Sequence, residues 1–173
     1  SIETVGVVGA GTMGAGIAQV SALAGYDVVM RDVEQSFVDN GFDAIDDSLS
    51  RMVDGDKLDS EAADAARDRI TGTTALDDLA DADLVVEAVV EDMDIKQDVF
   101  ADLDATVDED VVLATNTSTL SVTSIASATD RPDQVVGMHF MNPVPVMLGV
   151  EVVVGELTDP AAVNLAHDFA DAL

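Results

Sequence analysis

The chain has 173 residues, of which 48% are apolar, so it is long enough for one domain with a substantial core and is not expected to be disordered. Acidic residues outnumber basic residues by 35 to 7, and the net charge of −28 disfavours nucleic acid and anionic membranes as partners. The absence of cysteine excludes disulfides and thiolate chemistry, and no apolar run approaches the length of a membrane span. We therefore expect a cytoplasmic protein. Neither the two histidines nor the spacing of the carboxylates indicates a metal site.

The excess of acidic residues predicts adaptation to molar salt. Aspartate accounts for 27 of the 35 acidic residues, and the only lysines are Lys57 and Lys96. Such a surface repels itself, and the repulsion lowers stability unless salt screens it. The alternative is a moderately acidic protein from ordinary salt conditions, which the near absence of lysine disfavours.

A strand, a tight turn and a helix are predicted at the start of the chain. The strand covers residues 4–8, and three glycines with G-x-G-x-x-G spacing precede a helix at 11–24. In this motif the glycines make the turn, let the backbone approach a pyrophosphate, and let the helix pack close to the strand. The motif predicts a dinucleotide site at Gly9, Ala10, Gly11, Thr12, Met13 and Gly14. The alternative is a glycine-rich turn that binds nothing.

The rest of the chain alternates predicted strands and helices. Further strands are expected at residues 27–30, 70–73, 84–87, 111–115, 135–139 and 150–154. Further helices are expected at residues 33–53, 60–69, 93–103, 122–127 and 160–173. This alternation predicts an α/β fold of the Rossmann type, with a doubly wound, mostly parallel sheet and helices on both faces.

Residue type also predicts helix caps and buried faces. Ser60 is expected to cap the helix at 60–69, and Asp159 the last helix, where Pro160 takes the first position. The expected apolar positions of the helix at 33–53 are Phe37, Ile45, Leu49 and Met52. Those of the helix at 93–103 are Ile95, Val99, Phe100 and Leu103.

Asp32 indicates which dinucleotide is bound. It lies at the end of the second strand, 21 residues after Gly11, where a carboxylate is placed to bind both ribose hydroxyls of NAD. A 2′-phosphate at that position would meet a negative charge, so NAD is favoured over NADP. Arg31 is a mild counter-indication, because a neighbouring arginine is able to accept that phosphate.

Polar residues follow two of the later strands. His139 ends the strand at 135–139, on the edge where sheets of this class bind ligands, and an imidazole there is suited to accept a hydroxyl proton. The alternative is a hydrogen-bonded core histidine, and His167 is interpreted as structural or exposed. Residues 116–119 offer hydroxyl and amide groups to a ligand, or else Ser118 or Thr119 caps the following helix.

Four segments match one known family in order and in spacing. They are residues 9–18 (GAGTMGAGIA), 83–91 (DLVVEAVVE), 115–120 (TNTSTL) and 139–145 (HFMNPVP). On these residues the chain resembles the N-terminal, NAD-binding domain of L-3-hydroxyacyl-CoA dehydrogenases, including 3-hydroxybutyryl-CoA dehydrogenases. The resemblance covers essentially the whole chain, and its most specific segment is His-Phe-x-Asn-Pro.

The resemblance implies an activity and the residues that perform it. The activity is NAD-dependent oxidation of the 3-hydroxyl of an L-3-hydroxyacyl-CoA, a step of fatty acid metabolism and β-oxidation. His139 is implied as the base that takes the hydroxyl proton, and Glu151 as the glutamate that orients it. Ser118 is implied as a contact of the substrate and the nicotinamide, with Asn142 in the same pocket.

The resemblance also implies binding residues for both ligands. Glu91 and Lys96 match cofactor-side contacts that follow the fourth strand. Ser48 matches a contact of coenzyme A on the second helix, and Lys57 does so by a looser alignment.

The chain departs from the family pattern at two places. Leu148 and Gly149 replace a Lys or Pro and a large aliphatic residue, and a glycine in the expected strand indicates weak packing or a bulge. The helical C-terminal domain, which in the family carries the homodimer contact and part of the acyl pocket, does not follow. Residues 1–173 are therefore expected to form the NAD-binding domain alone.

Three functions stay open at this point. The first is the dehydrogenase implied by the resemblance. The second is a dinucleotide-binding module that performs no chemistry alone. The third is a dehydrogenase of another hydroxyacid, such as a sugar acid.

Overall fold

The computed structural model describes all residues from 1 to 173. Seven strands are present: β1 Thr4–Val8, β2 Asp27–Arg31, β3 Ile70–Thr73, β4 Leu84–Glu87, β5 Val112–Thr115, β6 Val135–Phe140 and β7 Val150–Val153. Six α-helices connect and cover them: α1 Thr12–Leu23, α2 Gln35–Asp54, α3 Ser60–Asp68, α4 Met93–Thr106, α5 Val122–Ala126 and α6 Pro160–Ala172. Two 3₁₀ turns occupy Leu76–Leu79 and Pro132–Gln134.

The strands form one doubly wound sheet with the order β3-β2-β1-β4-β5-β6-β7. The first six strands in this order are parallel, and β7 runs antiparallel to β6. The chain steps outward from β1 through β2 and β3, and then returns to β4 on the other side of β1. Such a reversal opens a crevice outside the carboxyl ends of the central strands, where sheets of this class bind ligands. The predicted fold class is confirmed.

Helices cover both faces of the sheet because alternate strand residues point to opposite faces. Val5 and Val7 of β1 pack in a core that includes residues of α1, α2, α3 and α6. Val8 packs in a second core on the other face, with Phe100 and Leu103 of α4 and with residues of α5. None of the helices combines the length and the apolar character that crossing a membrane requires.

Every predicted strand and helix is present, but two predicted helix faces are partly wrong. Phe37 is 44% exposed, because Val38 takes the buried position at the start of α2. Ile95 is 43% exposed, because Lys96 takes the corresponding position on α4. In α4 a charged side chain thus occupies a place where an apolar one was expected.

One predicted cap is also wrong, and a cap that was left open as an alternative is absent. The cap position of α3 belongs to Asp59, without a side-chain hydrogen bond, because α3 already includes Ser60. The cap of α5 is Ser121, whose hydroxyl oxygen accepts a hydrogen bond from the Ser124 N–H, so neither Ser118 nor Thr119 caps this helix. The predicted cap of α6, Asp159, is confirmed by its hydrogen bond with the Ala161 N–H.

The Gly149 position differs from the expectation as well. Gly149 precedes β7 rather than lying within it, and a side chain there would meet no neighbouring atom. The ladder between β6 and β7 runs without a bulge over four residue pairs.

Arg131 fastens the carboxyl end of α4 to the start of β6. Its guanidinium is buried, and its Nε donates to the Asp104 carboxylate at 2.6 Å. The other four N–H groups donate to the carbonyl oxygens of Asp104, Val107, Asp108 and Val111. All five donors of the side chain are therefore used within the protein.

Replacing Arg131 with glutamine is expected to lower the free energy of unfolding by about 3–5 kcal/mol, because Asp104 and several carbonyl oxygens lose a buried donor. Urea unfolding at one fixed salt concentration measures this change. The matched control is Asp46→Asn, which breaks the exposed ion pair with Arg67 and is expected to cost about 1 kcal/mol or less. Equal effects of the two substitutions would contradict the prediction.

Candidate active site

The glycine loop between β1 and α1 has the geometry that the motif predicts. Gly9 has φ +111°, and a Cβ there would approach the Ala88 carbonyl oxygen to 2.6 Å. A Cβ on Gly14 would collide with the Gly9 carbonyl, so α1 packs against the turn without a side chain between them. Gly11 has no atom near its Cβ position and is exposed. The loop is thus tight on its inner side and open on its outer side.

The first turn of α1 presents unpaired N–H groups to this open side. The backbone N–H groups of Thr12, Met13 and Gly14 have no acceptor within the protein, and no side chain caps the helix at Gly11. A helix N-terminus with free N–H groups is a site for anions such as phosphate.

Asp32 lies beside the loop, as predicted. Its carboxylate oxygens accept hydrogen bonds from the Ala10 N–H at 2.8 Å and the Val33 N–H at 2.7 Å. Each oxygen retains a further lone pair, so the carboxylate remains able to accept from two hydroxyl groups. Arg31 donates through its Nε to the Thr74 carbonyl oxygen.

A pocket of about 320 Å³ lies at the carboxyl ends of β4, β5 and β6. It brings together five of the predicted site residues from four separate segments of the chain: Met13, Glu91, Ser118, His139 and Asn142. Asn116 lines the same pocket and ties two of these segments together, because its side-chain oxygen accepts a hydrogen bond from the Phe140 N–H.

Glu151 lies directly opposite His139 across the sheet. The two residues are directly paired in the antiparallel ladder of β6 and β7, so their side chains extend from the same face. They form no hydrogen bond or ion pair in this structure. The ladder therefore places a carboxylate beside the imidazole without fixing a contact between them.

Glu91 holds the segment that carries Ser118. Its Oε2 accepts hydrogen bonds from the Thr117 hydroxyl at 2.8 Å, the Ser118 N–H at 3.1 Å and the Ser118 hydroxyl at 3.4 Å. Burial alone would raise the pKa of Glu91, but these hydrogen bonds and the charge of Lys96 outweigh it and lower the pKa. Glu91 is therefore a carboxylate at neutral pH.

Lys96 lies beneath the pocket rather than in its lining. Its ammonium is fully buried and donates to Glu87 Oε2 at 2.6 Å, with Glu91 Oε1 at 3.3 Å. The carbonyl oxygens of Val89 and Asn116 lie 3.4 Å from the same nitrogen. Lys96 thus reaches the pocket through Glu91 and through the backbone around it.

Glu87 is the buried partner that completes this arrangement. It accepts hydrogen bonds from Lys96, from the Val89 N–H at 2.7 Å and from the Thr115 hydroxyl at 2.6 Å. Burial nevertheless raises the pKa of Glu87, because the loss of hydration outweighs the attraction of Lys96.

Ser48 and Lys57 lie apart from this pocket, in a neighbouring cleft of about 540 Å³. The cleft runs between α1, α2 and residues 142–146, and Asn142 lines both cavities. The Ser48 hydroxyl accepts a hydrogen bond from Gln19 Nε2 at 2.9 Å.

Gly16 sets the contact between α1 and the segment after β6. A Cβ at Gly16 would lie 2.7 Å from Val144 Cβ, which is closer than side chains pack. Val144 is buried in the core that contains α1. The segment that follows His139 therefore rests directly on the helix that begins at the glycine loop.

Comparison with known proteins assigns the chain to a family. Residues 4–173 match the family described as 3-hydroxyacyl-CoA dehydrogenase, NAD binding domain. The chain belongs to this family. It is 44% identical over 172 residues to a 3-hydroxybutyryl-CoA dehydrogenase of Bradyrhizobium diazoefficiens, covering 99% of this chain and 59% of that protein. It is 45% identical over 174 residues to one of Mycobacterium tuberculosis, covering 100% of this chain and 61% of that protein.

A solved structure matches the fold of this family member closely. The crystal structure of (S)-3-hydroxybutyryl-CoA dehydrogenase from Ralstonia eutropha superposes with a TM-score of 0.97 at 42% identity, covering 99% of this chain and 61% of that one. The chain thus spans about three fifths of the length of the relatives it matches, and the part it spans is their NAD-binding domain.

The residues of this NAD-binding domain fit NAD. The open side of Gly11 and the free N–H groups of α1 suit a pyrophosphate, and Asp32 retains acceptors for ribose hydroxyls. The N–H groups of α1 and the carboxylate of Asp32 are already held in place by the fold.

Sequence reasoning missed four residues that lie in or beneath the cavities of this NAD-binding domain: Glu87, Asn116, Arg51 and Gln19. Glu87 had a signal, since it is a charged residue that directly continues the apolar run Leu84–Val86 of a buried strand. Asn116 lay inside the polar cluster at 116–119 without being singled out. Arg51 and Gln19 had no signal, because helix residues meet at a cleft only once tertiary packing is known.

Replacing Lys96 with methionine is expected to lower the free energy of unfolding by about 3–5 kcal/mol at neutral pH, because Glu87 becomes a buried charge without a partner. The loss is expected to shrink as the pH falls. The pKa of Glu87 is raised in the folded state. The stability that such a group contributes is fully present below its unfolded pKa, and it is lost as the pH rises through its folded pKa. Urea unfolding of both proteins at several pH values, in one fixed salt, measures the difference.

The matched control for this substitution is Lys57→Met, which removes an exposed ammonium with no protein partner and is expected to change stability by about 0.5 kcal/mol or less. A Lys96→Met protein as stable as the Lys57→Met protein at neutral pH would show that the buried pair is not required.

Proposed function

We propose that the protein of which this chain is the NAD-binding domain oxidises the 3-hydroxyl of an L-3-hydroxyacyl-CoA to the 3-oxo group. The observation that carries the proposal is the pocket that His139 shares with Ser118, Glu91 and Asn142 beside the glycine loop. This pocket combines a base, hydroxyl and amide groups and an ionised carboxylate at the carboxyl ends of the strands. Family membership adds the substrate class.

His139 serves as the base of this reaction. Bound NAD supplies the acceptor for the hydride that leaves C3 of the substrate. As the hydride leaves, the hydroxyl becomes more acidic, and its proton passes to the imidazole of His139. The resulting imidazolium is stabilised by Glu151, which the ladder between β6 and β7 holds on the same face of the sheet.

Ser118 and Asn142 position the reacting groups. Because Glu91 binds both the N–H and the hydroxyl of Ser118, the orientation of that hydroxyl is restricted before any ligand enters. Asn142 lies at the junction of the pocket and the cleft, where it is placed to contact a substrate that spans both. Ser48 and Lys57 are the proposed contacts for the coenzyme A part.

NAD rather than NADP is the cofactor this proposal requires. Asp32 presents a carboxylate where a 2′-phosphate would lie, and the Nε of the neighbouring Arg31 donates to the Thr74 carbonyl oxygen. The reaction places the protein in fatty acid metabolism, as a step of β-oxidation, and full-length members are proposed to be homodimers.

One experiment distinguishes the proposed function from two other functions. NADH oxidation is measured with acetoacetyl-CoA in high salt, for this chain and for a protein that contains it with a C-terminal domain. Turnover with acetoacetyl-CoA supports the proposed dehydrogenase. NADH binding without turnover in both proteins indicates a binding module, and turnover only with a hydroxyacid or oxoacid that lacks coenzyme A indicates another dehydrogenase.

The His139→Ala variant tests the mechanism within that experiment. Turnover is expected to fall roughly 10²–10⁴-fold, because general-base assistance is lost. NADH affinity is expected to change little, since the phosphate and ribose contacts lie at the glycine loop and Asp32. Unchanged turnover would exclude His139 as the base.

The protein is further proposed to work in the cytoplasm of a cell with molar salt, since the net charge of −28 destabilises the compact state unless ions screen it. Stepwise dilution from high salt, followed by circular dichroism, is expected to show cooperative loss of helix signal as the salt falls. Addition of NADH is expected to shift that loss to lower salt, because ligand binding stabilises the folded state. A chain that stays folded in dilute buffer without ligand would refute the salt adaptation.

A further inference from the structure

The carboxyl end of β6, which carries His139, is held differently by its two neighbouring strands. On one side, the ladder with β7 includes both His139 and Phe140. On the other side, the ladder with β5 ends at the pair of Thr115 and Gly137, whereas β6 continues to Phe140. The last residues of β6 therefore extend beyond β5, their neighbour toward the middle of the sheet.

The side chain of Asn116 continues the contact where β5 has ended. Asn116 directly follows β5, and its Oδ1 accepts a hydrogen bond from the Phe140 N–H at 2.9 Å. A buried strand needs a partner for each backbone N–H, and here a side chain supplies what the ladder no longer does. Because Phe140 directly follows His139, this bond restrains the backbone next to the imidazole.

Asn116 is itself held through its backbone. Its N–H donates to the Glu87 carbonyl oxygen at 2.8 Å, and its own carbonyl oxygen lies 3.4 Å from the Lys96 ammonium. Lys96 is fully buried and pairs with the Glu87 carboxylate. The support of the His139 segment thus runs from the buried end of β4 through Asn116 to β6.

The ladder on the other side of β6 does not tie His139 to the rest of the site. Within this chain β7 is the outermost strand of the sheet, next to β6 and to no other strand. The pocket and the glycine loop lie at the central strands, on the opposite side of β6. The bond of Asn116 is therefore the one that connects the end of β6 toward the glycine loop.

Two explanations account for an asparagine at this position. Its NH2 group has no acceptor in the protein and is accessible at the pocket that Asn116 lines, so a ligand contact is one explanation. That explanation uses only the NH2 and leaves the bond from Oδ1 to the Phe140 N–H without a function. The other explanation, support of the His139 segment, uses the bond that exists before any ligand enters.

We propose that Asn116 is a positioning residue, which acts through the Phe140 N–H to hold His139 at the distance from the glycine loop that the reaction requires. The proposal rests on the proposed function, because it concerns the base of that reaction. Loss of the acceptor at position 116 displaces His139, and it leaves intact the phosphate and ribose contacts at the glycine loop and Asp32. The proposal therefore separates turnover from cofactor binding.

The test measures kcat and KM for reduction of acetoacetyl-CoA by NADH, and the Kd of NADH, in high salt. It uses the protein that contains this chain with a C-terminal domain. Asn116→Ala removes both side-chain groups and is expected to lower kcat roughly 10–10²-fold, because the base is misplaced. The Kd of NADH is expected to stay unchanged, and KM is expected to change less than kcat.

A second variant separates the two groups of the side chain. Asn116→Asp keeps an oxygen acceptor for the Phe140 N–H and loses the NH2, so it is expected to recover most of the lost kcat. Turnover is compared at the optimum pH of each protein, because the added carboxylate changes the charge of the pocket.

The matched control removes a similar bond from the other end of β6. The Thr158 hydroxyl donates to the Val135 carbonyl oxygen at 2.8 Å, far from the pocket. Thr158→Val is expected to lower the urea midpoint about as much as Asn116→Ala and to leave kcat unchanged.

Three results would overturn the proposal. If Asn116→Ala turns over like the parent, His139 does not need this support, while the proposed dehydrogenase stands. If Thr158→Val loses as much kcat as Asn116→Ala, the effect is one of general stability. If Asn116→Asp loses as much as Asn116→Ala, the NH2 contacts a ligand instead. A parent protein without turnover of acetoacetyl-CoA would refute the proposed function, and the role of Asn116 would fail with it.

Discussion

The buried ammonium of Lys96 is the interaction on which the pocket depends. It lies between the ends of β4 and β5, where it contacts Glu87, Glu91 and the backbone on both sides. An ion pair at this depth gains little net stability over apolar packing, but removal of one partner is costly. Its effect on the site is positional, because the ammonium of Lys96 contacts the same Glu91 carboxylate that binds Ser118.

The acidic and basic residues of the chain are distributed differently. The acidic residues are spread over the surface, whereas the few basic residues occupy defined positions: two in buried pairs, three on local acceptors and two at the cleft. A protein that keeps so few cations has little general attraction for anions. The free N–H groups in the first turn of α1 suit an anion without any charged side chain.

Much of this arrangement was readable from the sequence, and the failures have a common cause. The glycine motif, the apolar strands and Asp32 predicted the fold and the dinucleotide loop, because each depends on local pattern and on strand order. Periodicity could not show that Lys96 would replace Ile95 on the inner face of α4, since that choice depends on Glu87 from another strand. Arg51 and Gln19 likewise line one cleft only through the packing between helices. Glu151 was implied as the partner of His139 by the family resemblance, and the register of β7 puts the two residues directly opposite each other.

The absence of a side chain at Gly16 has a consequence for the distance across the proposed site. The helix α1 begins at the glycine loop. It contacts the segment that follows His139 where Gly16 packs against Val144. The glycine loop and the segment that carries His139 therefore share one packing contact on this chain. Any larger residue at position 16 would act as a spacer between the glycine loop and the segment after His139, and the proposed hydride transfer would be sensitive to that added distance.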